Sequence, residues 1–320
     1  MPNTLFTPFL QQQGFVMLDG GLASELTFRG ADLKDELWSA KLLMEDPQSI
    51  FDLHYDYYKA GADIAITASY QATFEGLAKR GLNPAQAKAI FAQSIQLAQT
   101  ARVLFWKAET PRIDRTYPLV AASIGPYGAF LADGSEYRGQ YGLTEQALID
   151  FHQPRMEALI AASPDILAME TIPCLTEAQA FLRLLESFPS QQGYLCFSCQ
   201  NGTSLSSGEP FREAVALAAS SPQIIGVGIN CTAPHFISPL LGSVDQAVAI
   251  PYVVYPNRGE NWDAQGKCWV SGSDSSQVVD LVEEWYHLGV RVFGGCCRIR
   301  PSDISAMRTR LSETVVHKMG

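Results

Sequence analysis

Positive charge is what this sequence has least of. Its 23 Lys and Arg stand against 33 Asp and Glu, a formal net charge of -10 with a pI near 5.0, and no basic run interrupts the imbalance. A nucleic acid or an anionic membrane as the main partner is excluded on that ground, because both need clustered positive charge. Small cationic substrates suit such a chain better. No stretch reaches the roughly 18 consecutive apolar residues of a membrane span. The opening residues, MPNTLFTPFLQQQGFVMLDGG, have neither the basic leader nor the apolar run of a secretory signal. The expectation is a soluble, cytoplasmic chain.

Other signals are missing too. The 5 histidines show no H-x-H or H-E-x-x-H spacing, which argues against a histidine-bound metal hydrolase. No G-x-G-x-x-G follows the first predicted strand, which disfavours a nicotinamide enzyme of the doubly wound type. No repeat or domain-scale linker divides the chain, so residues 1–320 read as one domain. No heptad or apolar surface patch is readable, and a monomer is expected.

What is present is a regular alternation. Short apolar runs predict strands at Phe15 to Leu18, Asp63 to Thr67, Leu119 to Ile124, Asp165 to Met169, Tyr194 to Ser198, Ile224 to Ile229, Tyr252 to Tyr255 and Val290 to Phe293. Between them, capping and proline signals predict helices at Pro47 to Ala60, Pro84 to Lys107, Thr144 to Ala162, Thr176 to Phe188, Glu209 to Ala219, Pro234 to Gly242 and Ser275 to Leu288. Strict alternation implies a parallel sheet. Eight units imply closure into a single (β/α)8 TIM-type barrel, an α/β fold, rather than a doubly wound sheet.

The last predicted strand runs into Gly294-Gly295-Cys296-Cys297. Two adjacent thiols after flexible glycines suit a soft metal such as zinc. Read alone, they are equally well a buried, inert pair. Gly228-Ile229-Asn230-Cys231 shifts the balance, because a second strand end then supplies a third thiol. Asp19, Thr67 and Glu170 also fall at C-terminal strand ends, the face on which barrel enzymes build their sites. Cysteine is an odd count of 7, which in a reducing compartment favours metal ligands and core fillers over disulfides.

LDGGLASEL, ASIGPYGAFLADGSEYRGQYG, AMETIP, GVGINCTAPHFISPLL, VVYPNRGENWD and FGGCCRIRP stand in this order along almost the whole chain. On these segments the chain resembles the homocysteine S-methyltransferases, a zinc-dependent barrel family. It is most similar to the short single-barrel branch that uses S-methylmethionine or S-adenosylmethionine. The betaine-using branch is longer, and the cobalamin-dependent synthases carry additional domains. The resemblance implies that Cys231, Cys296 and Cys297 are zinc ligands and catalytic. It implies that Asp19 and Glu170 hold the amino group of L-homocysteine, with backbone near Gly20 or Thr67 helping to place it. The product would be methionine. Ile299 departs from the family pattern, which has Thr there.

Three protein thiolates leave a fourth zinc position open, as catalytic sites do. A homocysteine thiol placed there would lose its proton at neutral pH, and a methyl sulfonium set in line about 3 to 3.5 Å away would be attacked. The runner-up reading is a barrel with a structural zinc, or a zinc-thiolate protein without turnover. For the donor, Tyr127, Tyr137, Tyr141 and Trp262 could supply cation-π contacts from the long loops, or could only pack those loops. Arg138 and Arg258 are expected to face carboxylates or solvent. Cys196 and Cys199 are read as core, because strand residues three apart point to opposite faces. Cys174 could face the mouth, and Cys268 beside Trp269 is read as structural.

Overall fold

Runs of Val, Ile, Leu and Ala become parallel strands here because each can be buried on both faces. The structure, a computed structural model, describes residues 4–33, 35, 37–108, 115–244, 248–259, 261–263, 268–270 and 277–319. Eight strands form one sheet: β1 (Val16–Met17), β2 (Ile64–Ile66), β3 (Leu119–Ile124), β4 (Ile166–Ile172), β5 (Gly193–Phe197), β6 (Ile224–Asn230), β7 (Tyr252–Tyr255) and β8 (Val290–Phe293). Every neighbouring pair is parallel, and β1 pairs with β8. A further parallel bridge joins Leu18 to Ile64. There the Asp19 amide donates to the Ile64 carbonyl at 3.0 Å and the Leu18 amide to the Phe293 carbonyl at 2.6 Å. The sheet thus closes into the expected barrel.

Period-two alternation sorts the strand residues into two cores. Val16, Leu18, Ile64, Ile166, Ala168, Tyr194, Ile225, Val253 and Val292 fill the barrel interior, and Phe6 and Phe9 from the N-terminal segment pack with them. Met17, Ala65, Val120, Leu167, Leu195, Val227 and Val254 face the surrounding helices. Cys196 belongs to the interior and Cys199 packs against the outer layer, on opposite faces as the strand period requires.

Helix signals work where their caps are explicit. The Asp46 side chain caps Pro47–Ala60, and the Thr144 hydroxyl caps Glu145–Ala161. The helix expected to start at Thr176 instead spans Leu175–Glu186, with Cys174 at the N-cap and no side-chain cap bond. Pro234 opens a 3-10 turn that passes into Ile237–Gly242. Three helices lack a strong sequence signal: Leu22–Phe28, Phe74–Lys79 and Tyr127–Leu131. Asn261–Asp263 and Cys268–Val270 pair antiparallel as a small hairpin.

Two carboxylates extend the ladder past the strand starts. Asp63 precedes β2; its Oδ2 accepts the Met17 amide at 2.9 Å, while its own amide donates to the Met17 carbonyl. Asp165 precedes β4 and does the same to Val120, accepting its amide at 2.7 Å. Asp63 is 1% exposed and is held by Arg115 at 3.2 Å and Arg308 at 3.1 Å, whereas Asp165 is 28% exposed with Arg102 as its cation. Removing one member of a buried pair leaves the other charges uncompensated, at a cost of about 3 kcal/mol or more. Asp63→Asn should therefore lower the urea midpoint markedly, and Asp165→Asn should lower it less. The reverse order would refute this account of the barrel floor.

Candidate active site

The C-terminal ends of β1, β2, β3, β4, β6, β7 and β8 open into one cavity of about 610 Å³. Cys231 follows β6 directly, with a left-handed backbone at φ 49°. Cys296 and Cys297 follow β8 after Gly294-Gly295. Their positions bring three sulfurs together: Cys231 to Cys297 is 3.9 Å, Cys296 to Cys297 is 3.8 Å, and all lie within 4.8 Å. Zinc-sulfur bonds of about 2.3 Å at tetrahedral angles would separate ligand sulfurs by about 3.8 Å. The donor set fits that ion, and two of its three spacings match the tetrahedral value.

The sequence reading of the two glycines needs correction. Neither Gly294 nor Gly295 takes a left-handed backbone; the left-handed residue in this turn is Arg298, at φ 69°. What requires glycine is closeness. A Cβ on Gly295 would fall 2.1 Å from Ile299 Cγ2, and one on Gly20 would fall 2.4 Å from the Ile299 carbonyl oxygen. Ile299 is fully buried behind the thiol turn, and the Tyr57 hydroxyl donates to its carbonyl at 3.1 Å. The departure from the family pattern at this position is a packing residue.

The thiols restrain one another. Hydrogen bonds from Cys296 and Cys297, and one from Tyr137, hold Cys231 well below the usual thiol range, and donating those bonds, with burial and the Cys231 charge adding to it, pushes Cys296 and Cys297 up. The Tyr137 hydroxyl lies 3.1 Å from Cys231 Sγ. In a buried cluster the full set can ionise together only against a cation.

A pair of carboxylates lies at the same mouth, Glu170 on the cavity wall and Asp19 just behind it. Asp19 Oδ2 accepts the Ile66 amide at 2.8 Å, while its Oδ1 is buried without a partner. Burial pushes Asp19 well up, the Ile66 amide opposes this, and the negative charge of Glu170 adds to it. Burial raises Glu170 to about 7 against a hydrogen bond from the Ser123 hydroxyl. Glu170 sits inside β4 rather than beyond it, at a register irregularity between Met169 and Ile172. Thr171 there has φ 62°, strained for a β-branched residue, and Asn230 braces it: Asn230 Oδ1 accepts the Thr171 amide at 2.7 Å.

Gly20, Thr67, Glu170 and all three cysteines line the cavity. Asp19 lies just behind this wall, 1% exposed. The Thr67 amide is already bonded to the Ala121 carbonyl at 3.0 Å, so Thr67 offers its hydroxyl, which contacts Ser69 Oγ at 2.8 Å, rather than a backbone donor. The donor aromatics fare differently. Tyr127 is not among the lining residues; its ring packs on Tyr141, Phe151 and Phe130 with centroids 5.3, 4.9 and 5.8 Å away. Of the tyrosines proposed from the loops only Tyr137 reaches the cavity, and the side chains of Trp262 and Cys268 lie outside the described residues. Arg138 pairs with Asp133 at 3.4 Å and Arg258 with Asp303 at 3.6 Å, both facing carboxylates as expected. Cys174 is buried at its helix start, raised to about 12 by burial, and does not line the cavity.

Sequence reasoning missed four residues that do. Tyr70 and Tyr255 line the inner wall and Phe28 the outer rim. Glu136 is half-buried, raised by desolvation to about 7, and its buried Oε2 has no partner. The G-S-E-Y-R motif contained Glu136, and a carboxylate beside a tyrosine in a long Gly-rich loop was the available signal. Nothing local marked the other three.

The sequence profile of the homocysteine S-methyltransferases matches residues 16–311. Homocysteine S-methyltransferase YbgG of Bacillus subtilis (strain 168) is 47% identical over 289 residues, covering 90% of this chain and 92% of its own length. The homocysteine S-methyltransferase of Escherichia coli (strain K12) is 45% identical over 309 residues, covering 96% and 99%. The crystal structure of the E. coli homocysteine methyltransferase MmuM in its metallated form superposes with a TM-score of 0.86 at 43% identity, covering 95% of this chain and 99% of that one. With the barrel, the thiol cluster and these relatives in agreement, the chain belongs to the homocysteine S-methyltransferase family of methyl-transferring enzymes.

Proposed function

We propose that this chain transfers a methyl group from a sulfonium donor, S-methylmethionine or S-adenosylmethionine, to the thiol of L-homocysteine, giving methionine. The observation that carries the reading is the pairing of a zinc-spaced thiol cluster with a buried carboxylate pair at one cavity. Cys231, Cys296 and Cys297 would hold the zinc. When bound, zinc supplies the positive charge that lets neighbouring thiols ionise at neutral pH.

The remaining work falls to the chain. Asp19 Oδ1, otherwise orphaned, and Glu170 receive the acceptor's ammonium, and the two carboxyls, raised by burial, ionise against it. With the amino-acid end fixed, the acceptor sulfur lies towards the cysteines. The donor methyl carbon then forms a bond to that sulfur while its bond to the sulfonium breaks, and the electron pair stays on the donor sulfur. An anion and a cation become two neutral thioethers, so the apolar walls from Leu22, Ala23 and Phe28 favour the transition state over the separated charges. Glu136 and the Tyr70, Tyr137 and Tyr255 rings give a sulfonium acidic and aromatic surroundings. The setting we read for the chain is cytoplasmic, where thiols stay reduced.

Purified under reducing conditions, the protein should carry about one zinc per chain by metal analysis. Cys231→Ala, Cys296→Ala and Cys297→Ala should each lose both metal and turnover, and full activity of metal-free protein would end the proposal. S-methylmethionine should be the better donor, yielding two methionines. Zinc and homocysteine binding without transfer from either sulfonium would return the chain to the non-catalytic zinc-thiolate reading.

Glu170→Gln should keep zinc but raise the homocysteine KM by roughly ten- to hundredfold, the equivalent of about 1.5–3 kcal/mol for a charged hydrogen bond made neutral. Because Glu170 ionises near 7 and only its ionised form pairs with the ammonium, wild-type kcat/KM for homocysteine should fall as pH drops below about 7. That acid limb should flatten in Glu170→Gln. Zinc loss in this variant would instead make the residue structural.

A further inference from the structure

We propose that Glu136 is the specificity residue for the methyl donor, its carboxylate pairing with the sulfonium charge itself rather than with the donor's amino group. This deepens the sulfonium-donor reading above and rests on it. Glu136 lies in the 3-10 turn Ser135–Tyr137 and lines the cavity with Gly134 and Tyr137. Its Oε2 is the only buried carboxylate oxygen without a partner among the described lining residues. A charge left unpaired in such a place is costly until a cation reaches it.

The nearest cation in sequence does not fill that role. Arg138 is 57% exposed, pairs with Asp133 at 3.4 Å and donates to Ser135 Oγ at 2.9 Å. The turn itself is held from two sides. The Ser198 hydroxyl donates to the Glu136 carbonyl at 2.9 Å, and the helix Tyr127–Leu131 lies so close that a Cβ on Gly128 would fall 2.3 Å from the Glu136 amide nitrogen. With its backbone fixed, Glu136 keeps its carboxylate at the cavity.

Position and surroundings favour the sulfonium over the donor's ammonium. The Tyr137 hydroxyl is 3.1 Å from Cys231 Sγ, so the residue beside Glu136 touches the thiol cluster. A methyl in line for transfer sits about 3 to 3.5 Å from the acceptor sulfur at that cluster. The sulfonium is one bond beyond it, and the donor's ammonium is several bonds farther out. A sulfonium brings charge without a hydrogen-bond donor, whereas an ammonium brings three. Burial and then neighbouring negative charge, Glu136 included, push the Tyr70 and Tyr137 hydroxyls up, so the carboxylate lies within electrostatic reach of both tyrosines. One carboxylate among aromatic rings answers charge alone.

The chemistry fixes the kinetic signature. As the methyl leaves, the donor sulfur becomes a neutral thioether, so Glu136 holds the bound donor more tightly than the transition state. Its contact serves affinity and choice of donor, and the neutral product no longer benefits from it.

The test uses zinc-loaded wild type, Glu136→Gln and Glu136→Asp with S-methylmethionine and with its desamino analogue, which keeps the sulfonium and carboxylate. In Glu136→Gln the KM for both donors should rise by the same factor, roughly tenfold or more, the scale of a lost partly buried charge contact. The rate at saturating donor should hold or rise. Zinc content should be unchanged and the homocysteine KM should stay within about twofold, while Glu136→Asp should recover part of the donor affinity. A KM rise confined to S-methylmethionine, or failure of the wild type to use only the desamino donor, would overturn the assignment by giving recognition to the ammonium. A fall in saturated rate without a change in donor KM, a higher homocysteine KM or loss of zinc would overturn it by showing a structural or acceptor role. No transfer to wild type from either compound would overturn the donor class itself, and this residue's role with it.

Discussion

Buried negative charge without matching positive charge is the constraint on which this site depends. Three sulfurs within 4.8 Å cannot all ionise in a protein interior, nor can the buried Asp19 and Glu170, unless cations arrive. The raised carboxyls and the single stabilised thiolate at Cys231 express the same shortage. In the function proposed above, a metal dication would answer it at the thiols and a substrate ammonium at the carboxylates. Groups held apart from their counter-charges are pre-organised for ligands that carry those charges.

The barrel makes that arrangement possible at modest cost. Residues more than 270 apart in sequence become neighbours because β1 pairs with β8, and the Leu18 to Ile64 bridge shuts the ring. Strand ends then deliver Asp19, Thr67, Glu170, Cys231 and the cysteine pair to one mouth, while Phe6 and Phe9 fill the interior nearer the other end. Asp63 and Asp165 brace the floor with paired carboxylates, the reverse of the unpaired ones above. Stability and chemistry thus occupy opposite ends.

Irregular backbone is concentrated where the chemistry is. Left-handed Thr171 lies at the irregular end of β4 while Cys231 and Arg298 follow strands of the mouth, and Asn230 and Ser24 hold the first and last of them by hydrogen bonds. Close contacts at Gly20 and Gly295 pack the β1 and β8 turns onto Ile299, leaving no space for a side chain. Strain of this kind persists only when the surroundings over-determine it.

The barrel was legible in the sequence because it rests on repeated local signals: eight apolar runs, capped helices between them, and polar residues just past the strand ends. The cysteines were legible for the same reason, since strand-end position alone predicts convergence on one face. What the sequence could not decide was which loop residues face inward. Tyr127 and Tyr137 lie in the same aromatic loop, yet one ring packs on Phe151 and the other reaches Cys231. Phe28 lines the cavity from a helix with no strong signal, and Glu136 lines it from a long Gly-rich loop. Strand periodicity is a property of consecutive residues and survives in one dimension. Loop orientation and the balance of charge around a cavity are set by contacts between distant segments, and only the closed tertiary structure contains them.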